Sequence, residues 1–215
     1  KDNPDYLFKA LESILDQTTC PNEIILVHDG ILKEKLISVI EYYNNKYPKL
    51  LKEIKLKCNQ GLGNALKEGI KHCSYGYVAR MDADDICQNY RFERQISFLE
   101  ENSEVTLVGS NVQEFSFVPG DLDQFRKLPL TNDELHKYSK FRNPINHPTV
   151  MFRKSHIIAV GSYEDVPSFE DYFLWLKLLS RGYKLRNMDD SLLFFRIGND
   201  IMDRRSGLRY LKKEY

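Results

Sequence analysis

The densest group of chemically active side chains lies in residues 80–85, where Asp82, Asp84 and Asp85 place three carboxylates within four positions. If the backbone stays extended, residues two apart point the same way, so Asp82 and Asp84 converge on one ligand. The crowding is unfavourable through like-charge repulsion, which a divalent cation relieves. Mg²⁺ or Mn²⁺ bound by carboxylates keeps its other positions for water and phosphate oxygens. The pattern therefore suits a cation with a nucleoside diphosphate, but acidic turns are common, and on spacing alone a solvated turn or helix cap is the simpler interpretation.

A second acidic pair, Glu170-Asp171, stands at the start of an apolar segment with helical spacing. A carboxylate near a reacting hydroxyl can act as a general base, which is the functional interpretation of Asp171. The alternative is capping, because negative charge is favourable at a helix N-terminus.

Three further motifs are weaker indications of a functional site. Residues 59–64 form a glycine-containing turn without the spacing of a dinucleotide-binding loop, and Lys67 is not in a Walker arrangement. His147 precedes an expected strand, where a structural histidine is the simpler interpretation. Trp175 lies on an apolar helix face without interleaved basic residues, which favours the protein core over a base-stacking surface.

The elements that must position these residues alternate along the first half of the chain. Asn3-Pro4 is a helix start signal. Helices are expected at the N-terminus, over residues 32–43 and over 62–73; strands are expected over 23–27, 54–56 and 77–81. The apolar run 23–27 predicts a strand buried on both faces. This βαβαβ order predicts a mostly parallel sheet with ligands at the strand carboxyl ends, where Asp29 and the acidic cluster could face one crevice.

The second half is mixed. A helix is predicted over residues 91–101 and another over 170–181; strands are predicted over 105–108, 112–118, 149–152, 183–188 and 191–197; and 119–130 is predicted as a loop. No domain boundary is evident.

Composition excludes several classes. The 215 residues balance 31 Lys+Arg against 31 Asp+Glu, so no global charge favours nucleic acid, and none is expected as a partner. No apolar run is long enough to span a bilayer, and the N-terminus is too polar for a secretion signal. Four cysteines without metal-ligand spacing predict reduced thiols. These features predict a soluble, cytoplasmic protein.

Seven segments, taken in order, resemble those of the family 2 glycosyltransferases, which are nucleotide-diphospho-sugar transferases with the GT-A fold. The segments are residues 10–18, 23–30 with Asp29-Gly30, 59–66, 79–86 with Asp82-Ala83-Asp84-Asp85, 91–95, 147–150 with His147-Pro148-Thr149, and 169–175 with Glu170-Asp171. They cover nearly the whole chain up to about Arg205. The resemblance implies an α/β chain whose mixed, mostly parallel central sheet is flanked by helices.

The family pattern also implies roles. Asp29 resembles the carboxylate that binds the nucleotide base. Asp82 and Asp84 match the Asp-x-Asp motif for ribose and the diphosphate-bound Mn²⁺ or Mg²⁺, with Asp84 as the direct metal ligand. Asp171 resembles the general base. The role of Asp85 stays open.

The chain also departs from the pattern. Family members begin with an apolar strand that precedes the first helix of this chain, so the first strand is expected to be missing from the sheet. His28 stands where Asp is usual, and Gly198 where many relatives carry a metal- or diphosphate-binding His. Arg204 and Arg205 are similar to a subgroup motif and could neutralise the diphosphate, with a solvated basic helix as the alternative.

One glycosyltransferase domain over residues 1–215 is the resulting prediction, with a nucleotide-binding half (1–102), an acceptor and catalytic half (103–202) and a basic C-terminal helix (203–215). The predicted reaction is inverting transfer from a nucleotide-sugar, a UDP-sugar, to a glycan or lipid-linked acceptor in bacterial surface polysaccharide synthesis such as capsule, exopolysaccharide or O-antigen. The basic helix predicts peripheral contact with the cytoplasmic face of the inner membrane. A catalytically silent binding module and a sugar nucleotidyltransferase are the alternatives.

Overall fold

The structure is a computed structural model that describes residues 3–197. The α-helices are α1 (Pro4–Leu15), α2 (Glu34–Lys46), α3 (Leu62–His72), α4 (Arg91–Glu101), α5 (Asn132–Tyr138), α6 (Lys154–Ala159) and α7 (Glu170–Ser180). The strands are β1 (Ile24–His28), β2 (Leu51–Lys55), β3 (Tyr77–Ala79), β4 (Ile86–Cys87), β5 (Val105–Phe115), β6 (Gln124–Arg126), β7 (Met151–Arg153) and β8 (Lys184–Arg196), and a 3₁₀ helix spans His147–Thr149. The expected basic helix 203–215, Gly198 and the Arg204-Arg205 pair lie outside the described residues.

The strands form two sheets. β1 and β2 pair in parallel, with Ile24 opposite Leu51 and His28 opposite Lys55. The second sheet has the order β3-β7-β5-β8-β4, and β6 pairs with β5 off this path. Its central pair, β5 and β8, is parallel, whereas β3–β7, β4–β8, β5–β6 and β5–β7 are antiparallel. The mixed α/β architecture predicted from the sequence is confirmed.

An apolar cavity of about 610 Å³ separates the two sheets. β1 and β3 border it, α1 and α3 line it as well, and it includes the side chains of Leu11, Ile14, Val27, Leu66 and Val78. Among residues 3–197, β1 pairs only with β2 and β3 only with β7. Residues 24–27 are consequently half-buried, so the prediction of a strand buried on both faces was wrong. The sheet is thus interrupted between β1 and β3, in agreement with the expectation that the first strand of the family pattern is missing from it.

Several predicted boundaries differ from the structure. Residues 105–118 and 183–197 were each expected to hold two strands, but β5 and β8 are continuous. The polar residues between the two expected strands of β5 are buried and hydrogen-bonded: the amide of Asn111 donates to the carbonyl of Asp189 at 2.9 Å, and that of Asn146 to the carbonyl of Ser110 at 3.0 Å. The expected loop 119–130 contains β6, and β2 begins three residues earlier than predicted.

Helices α5 and α6 were not predicted. The start of α5 nevertheless has a recognisable signal, since Thr131 and Glu134 form a reciprocal capping box. The helix start predicted at Asn3-Pro4 is confirmed, because the Asn3 side chain accepts a hydrogen bond from the backbone N–H of Asp5 at 2.9 Å and so caps α1.

The apolar core comprises three clusters of buried side chains. One lies between α7 and the sheet around Leu107 and Trp175, one between α4 and the sheet around Leu99 and Val108, and one between α1, α2 and β2 around Ile40. Within the described part of the chain, no helix has both the length and the apolar character needed to cross a bilayer.

The close contact between α3 and the segment before α7 can be tested by a substitution at Gly63. An added Cβ at Gly63 would lie 2.3 Å from the carbonyl oxygen of Glu164. We expect Gly63→Ala to lower the free energy of unfolding by about 1–3 kcal/mol, because such overpacking forces the backbone to shift. In the absence of this clash, replacing a helical glycine by alanine would raise the free energy of unfolding by roughly 0.5–1 kcal/mol.

Urea denaturation of Gly63→Ala beside Gly76→Ala measures this. A Cβ at Gly76 meets nothing within 4 Å, so that variant is the matched control and should stay close to the parent protein. Equal unfolding free energies for the two variants would show that α3 does not approach the segment around Glu164 as closely as described.

Candidate active site

The first acidic group follows β3, and one of its carboxylates is already paired. The Arg80 side chain is buried, and its Nη1 donates to Oδ2 of Asp82 at 2.9 Å. Its Nη2 donates to Oδ1 of the same carboxylate, so the contact is bidentate. Forked guanidinium–carboxylate pairs fix geometry as well as charge. The turn after β3 therefore holds Asp82 in one orientation.

Asp84 and Asp85 differ from Asp82 in their partners. The Asp84 side chain makes no hydrogen bond or ion pair with any other residue of the described range, and Asp84 is reached by solvent. Partial desolvation of the carboxyl group, and next the charge of Asp82, raise the pKa of Asp84. Asp85 is buried and accepts a hydrogen bond from the backbone N–H of Arg196 at 2.9 Å. The Asp84 carboxylate is thus accessible to a ligand, whereas the Asp85 carboxylate is buried and held by a backbone hydrogen bond.

Arg196, the last residue of β8, ties this acidic turn to the rest of the fold. Its Nε donates to the carbonyl of Asp84 at 2.9 Å and its Nη1 to the carbonyl of Ser116 at 3.1 Å. The guanidinium lies 3.8 Å from the ring centroid of Tyr6 on α1 and 4.3 Å from that of Phe115. Stacking on two rings suits a planar guanidinium.

The second acidic group is centred on Asp171, in the first turn of α7. The carboxylate is buried, and the side-chain amide of Asn143 donates to its Oδ2 at 2.6 Å. Burial raises the pKa of Asp171, and the hydrogen bond from Asn143 opposes that rise. A raised pKa makes the carboxylate a stronger proton acceptor, which is what general-base chemistry uses.

His147 lies beside this carboxylate. Its Nδ1 is 3.9 Å from Oδ2 of Asp171, and its Nε2 hydrogen-bonds the hydroxyl of Tyr163 at 2.8 Å. The imidazole also meets the ring of Trp175 edge-on, with centroids 5.9 Å apart. Burial, and next the charge of Arg80, keep the pKa of His147 well below its usual range, so the imidazole is neutral.

One buried cation acts on both acidic groups. Burial raises the pKa of Glu170 and of Asp171, and the positive charge of Arg80 acts in the opposite direction on both. The same guanidinium is paired with Asp82. The structure therefore brings the acidic turn and the first turn of α7 into one electrostatic neighbourhood.

A set of possible metal ligands also occurs at α7. One donor atom each of His147, Glu170 and Asp171 lies within 4.8 Å of the others. A neutral imidazole with two carboxylates suits a divalent transition metal. This set was not predicted from the sequence, and it shares no residue with the Asp82 and Asp84 pair where a cation was expected.

Asp29 is placed differently from the other predicted site residues. It follows β1, and its carboxylate accepts the backbone N–H groups of Gln60 at 2.6 Å and Gly61 at 3.1 Å. It therefore shapes the turn that leads into α3. None of the hydrogen bonds or ion pairs found in residues 3–197 joins Asp29 to Asp82, Asp84 or Asp171.

His28 takes no part in these groups. It is buried beside Glu53, with 3.3 Å between His28 Nε2 and Glu53 Oε2, and burial lowers its pKa. The imidazole at this position thus packs toward β2.

Four residues of the site were not predicted in their roles: Arg80, Asn143, Tyr163 and Arg196. Asn143 precedes a proline and has the pattern of an ordinary turn residue, and 28 positions separate it from Asp171. Tyr163 carries no local motif. Arg196 had a local signal, because it is a charged residue in an otherwise apolar strand end, Phe194-Phe195-Arg196-Ile197.

Comparison with known proteins identifies the class. The model of glycosyl transferase family 2 matches residues 1–161, and the chain belongs to this family. It is a glycosyltransferase with the GT-A fold. This finding supports neither of the two alternatives that the sequence left open, which were a catalytically silent binding module and a sugar nucleotidyltransferase.

Individual relatives are similar over the whole chain. The amylovoran biosynthesis glycosyltransferase AmsE of Erwinia amylovora is 41% identical over 214 residues, which are 100% of this chain and 79% of that protein. The Escherichia coli UDP-Gal:alpha-D-GlcNAc-diphosphoundecaprenol beta-1,3-galactosyltransferase is 40% identical over 214 residues, 77% of its length.

A solved structure supports the fold. The mannosyltransferase PcManGT from Pyrobaculum calidifontis, in complex with GDP-Man and Mn²⁺, superposes with a TM-score of 0.72 at 16% identity. The match covers 92% of this chain and 55% of that one, so the chain spans about half of that protein.

The hydrogen bond from Asn143 gives a direct test of the second acidic group. Asn143→Ala removes a donor that favours the ionised form of Asp171, so we expect the pKa of Asp171 to rise further. Titration of the ¹³C-labelled carboxyl group by NMR measures this. Asn45→Ala, at an exposed position of α2, is the control and should leave the titration unchanged. An unaltered pKa in Asn143→Ala would contradict the described contact.

Proposed function

We propose that this chain is an inverting glycosyltransferase that moves a hexosyl or N-acetylhexosaminyl group from a UDP-sugar to a glycan or lipid-linked acceptor. The product would belong to a bacterial surface polysaccharide. Two relatives at about 40% identity support this: one is named for amylovoran biosynthesis and the other for transfer from UDP-Gal. The observation that carries the proposal is the presence of two acidic groups, one with an open carboxylate and one with a buried, anchored carboxylate.

The donor diphosphate would bind at the acidic turn. Asp84 is the open carboxylate, and its raised pKa reflects partial desolvation and repulsion by Asp82, which a divalent cation would relieve. Mn²⁺ or Mg²⁺ therefore fits Asp84 directly, with Asp82 beside it for the ribose or the metal. When bound, the cation would stabilise negative charge on the departing diphosphate. The Mn²⁺ in the PcManGT complex is consistent with this choice.

Asp29 would contact the nucleotide base from the end of β1. Its carboxylate oxygens already accept two backbone N–H groups, which fixes their direction. Each carboxylate oxygen retains a further lone pair, so the group can accept another hydrogen bond.

Asp171 would serve as the general base on the acceptor side. Its carboxylate removes the proton of the acceptor hydroxyl while the hydroxyl oxygen attacks the anomeric carbon opposite the leaving nucleoside diphosphate. Attack from that side inverts the anomeric configuration. Asn143 holds the carboxylate, and the adjacent His147 is neutral, so the imidazole adds no positive charge that would lower the proton affinity of Asp171.

The donor and acceptor roles proposed here fall in the two different halves of the chain that were expected from the sequence. Residues 1–102 contain Asp29, Asp82 and Asp84 for the donor, and residues 103–202 contain Asp171 for the acceptor. A lipid-linked acceptor would place the chain at the cytoplasmic face of the inner membrane. The relative named for a diphosphoundecaprenol acceptor supports an acceptor of this lipid-linked kind.

Two variants separate the roles. Asp171→Asn should lower transfer by about 10²–10⁴-fold, the usual contribution of a placed base, and leave Mn²⁺-dependent UDP binding intact. Asp84→Ala should lose both transfer and Mn²⁺-dependent binding. Turnover on a panel of UDP-sugars and calorimetric titration with UDP plus Mn²⁺ measure the two properties.

Asp123→Ala is the control. Asp123 is an exposed acid outside both groups, so transfer and Mn²⁺-dependent binding should persist in this variant. Full turnover in Asp171→Asn would refute the assignment of the base. Mn²⁺-dependent UDP binding retained in Asp84→Ala would refute the assignment of the metal ligand.

A further inference from the structure

The turn after α5 presents an aromatic side chain between two cations. Phe141 is 84% exposed, and Lys140 and Arg142 on either side are exposed as well. The backbone is ordered by hydrogen bonds from the N–H groups of Phe141 and Arg142 to the carbonyl of Tyr138, at 3.0 and 3.1 Å. We call residues 140–142 the basic turn.

Both ends of the basic turn are attached to the first turn of α7. The hydroxyl of Tyr172 donates to the carbonyl of Ser139 at 2.6 Å, and the amide of Asn143 donates to Asp171 at 2.6 Å. Successive Cα atoms are about 3.8 Å apart, so all three residues of the basic turn lie within roughly 11 Å of Asn143 along the chain. The turn is therefore held next to the proposed base.

The charges of the basic turn are not used within the described protein. Neither Lys140 nor Arg142 has a carboxylate within 4.0 Å among residues 3–197. The dipole of α5 does not account for them, because that helix has its C-cap at Ser139 and its last turn already carries His136 and Lys137. Two unpaired cations beside an exposed aromatic ring match an anionic group attached to an apolar chain.

We infer that the basic turn binds the diphosphate of a polyprenyl-diphosphate-linked acceptor sugar, with Phe141 inserted at the boundary of the apolar chain. The inference rests on the proposed function. When the acceptor hydroxyl reaches Asp171, the diphosphate lies about one sugar ring away, and the basic turn is an exposed cationic surface within that range. Arg142 can bind phosphate oxygens in a bidentate manner, and Lys140 adds a second charge.

Vesicle flotation tests this with the full chain. One set of phosphatidylcholine vesicles carries polyprenyl-diphosphate-GlcNAc; a second carries phosphatidylglycerol at equal total charge. We expect the parent protein to bind the first set more tightly. We expect Lys140→Glu/Arg142→Glu to weaken that binding by about tenfold or more, from loss and reversal of two surface charges. Phe141→Ala should weaken it by a smaller factor.

Matched controls lie on α1 and α2. Lys9→Glu/Lys35→Glu makes the same charge change at exposed positions, and Ile37→Ala removes an exposed apolar side chain, so both should bind like the parent protein. Thermal melting verifies that each variant is folded. Equal binding of the parent protein to both vesicle sets, or unchanged binding in Lys140→Glu/Arg142→Glu, would overturn the inference.

The same vesicles separate this inference from the proposed function. A parent protein that binds the diphosphate vesicles but transfers no sugar from any UDP-sugar would refute the proposed function and leave the basic turn in place. Transfer to the lipid-linked sugar that is equally efficient in the parent protein and in Lys140→Glu/Arg142→Glu would refute the basic turn and leave the proposed function in place.

Discussion

A single buried guanidinium, that of Arg80, is the interaction on which the arrangement of the site depends. It forms a bidentate pair with Asp82, and its charge also acts on Glu170 and Asp171 of α7. An unpaired charge in the interior is strongly unfavourable, and so is a group of carboxylates without a cation. Arg80 resolves both problems together. The acidic turn and the start of α7 are thereby kept close although they come from opposite halves of the chain.

The position of Arg80 is set in turn by a second buried guanidinium. Arg91 of α4 is fully buried, and its Nη2 donates to the carbonyl of Arg80 at 2.8 Å. Its Nε donates to Gln95 at 2.9 Å, and the Gln95 amide donates to the carbonyl of Thr149 at 2.7 Å. This chain of hydrogen bonds joins the end of β3 to the end of the 3₁₀ helix that carries His147. Since buried polar networks of this kind are stable only when their members are satisfied, they specify one relative placement of the two segments.

The local features of the fold were predictable from the sequence, and the long-range ones were not. The bounds of α4 follow from Phe92, Ile96 and Leu99, because helical periodicity is a property of neighbouring residues. The continuity of β5 through Ser110 and Asn111 was missed, because the groups that satisfy these polar residues come from distant segments. The site divides in the same way. Local acidic spacing and the family resemblance singled out Asp84 and Asp171, whereas Arg80 as a shared cation and Asn143 as the partner of Asp171 became visible only in the folded chain.

In the proposed mechanism the donor cation binds at Asp84, and a different carboxylate, that of Asp171, receives the proton. The structure offers a second set of ligands at His147, Glu170 and Asp171, so the two positions can be compared directly. Anomalous diffraction at the manganese edge, from crystals grown with Mn²⁺ and UDP, locates the ion. We expect an anomalous peak about 2.0–2.2 Å from a carboxylate oxygen of Asp84, typical of a small divalent cation, and no peak at α7. A peak at His147, Glu170 and Asp171 with none at Asp84 would refute the proposed metal site.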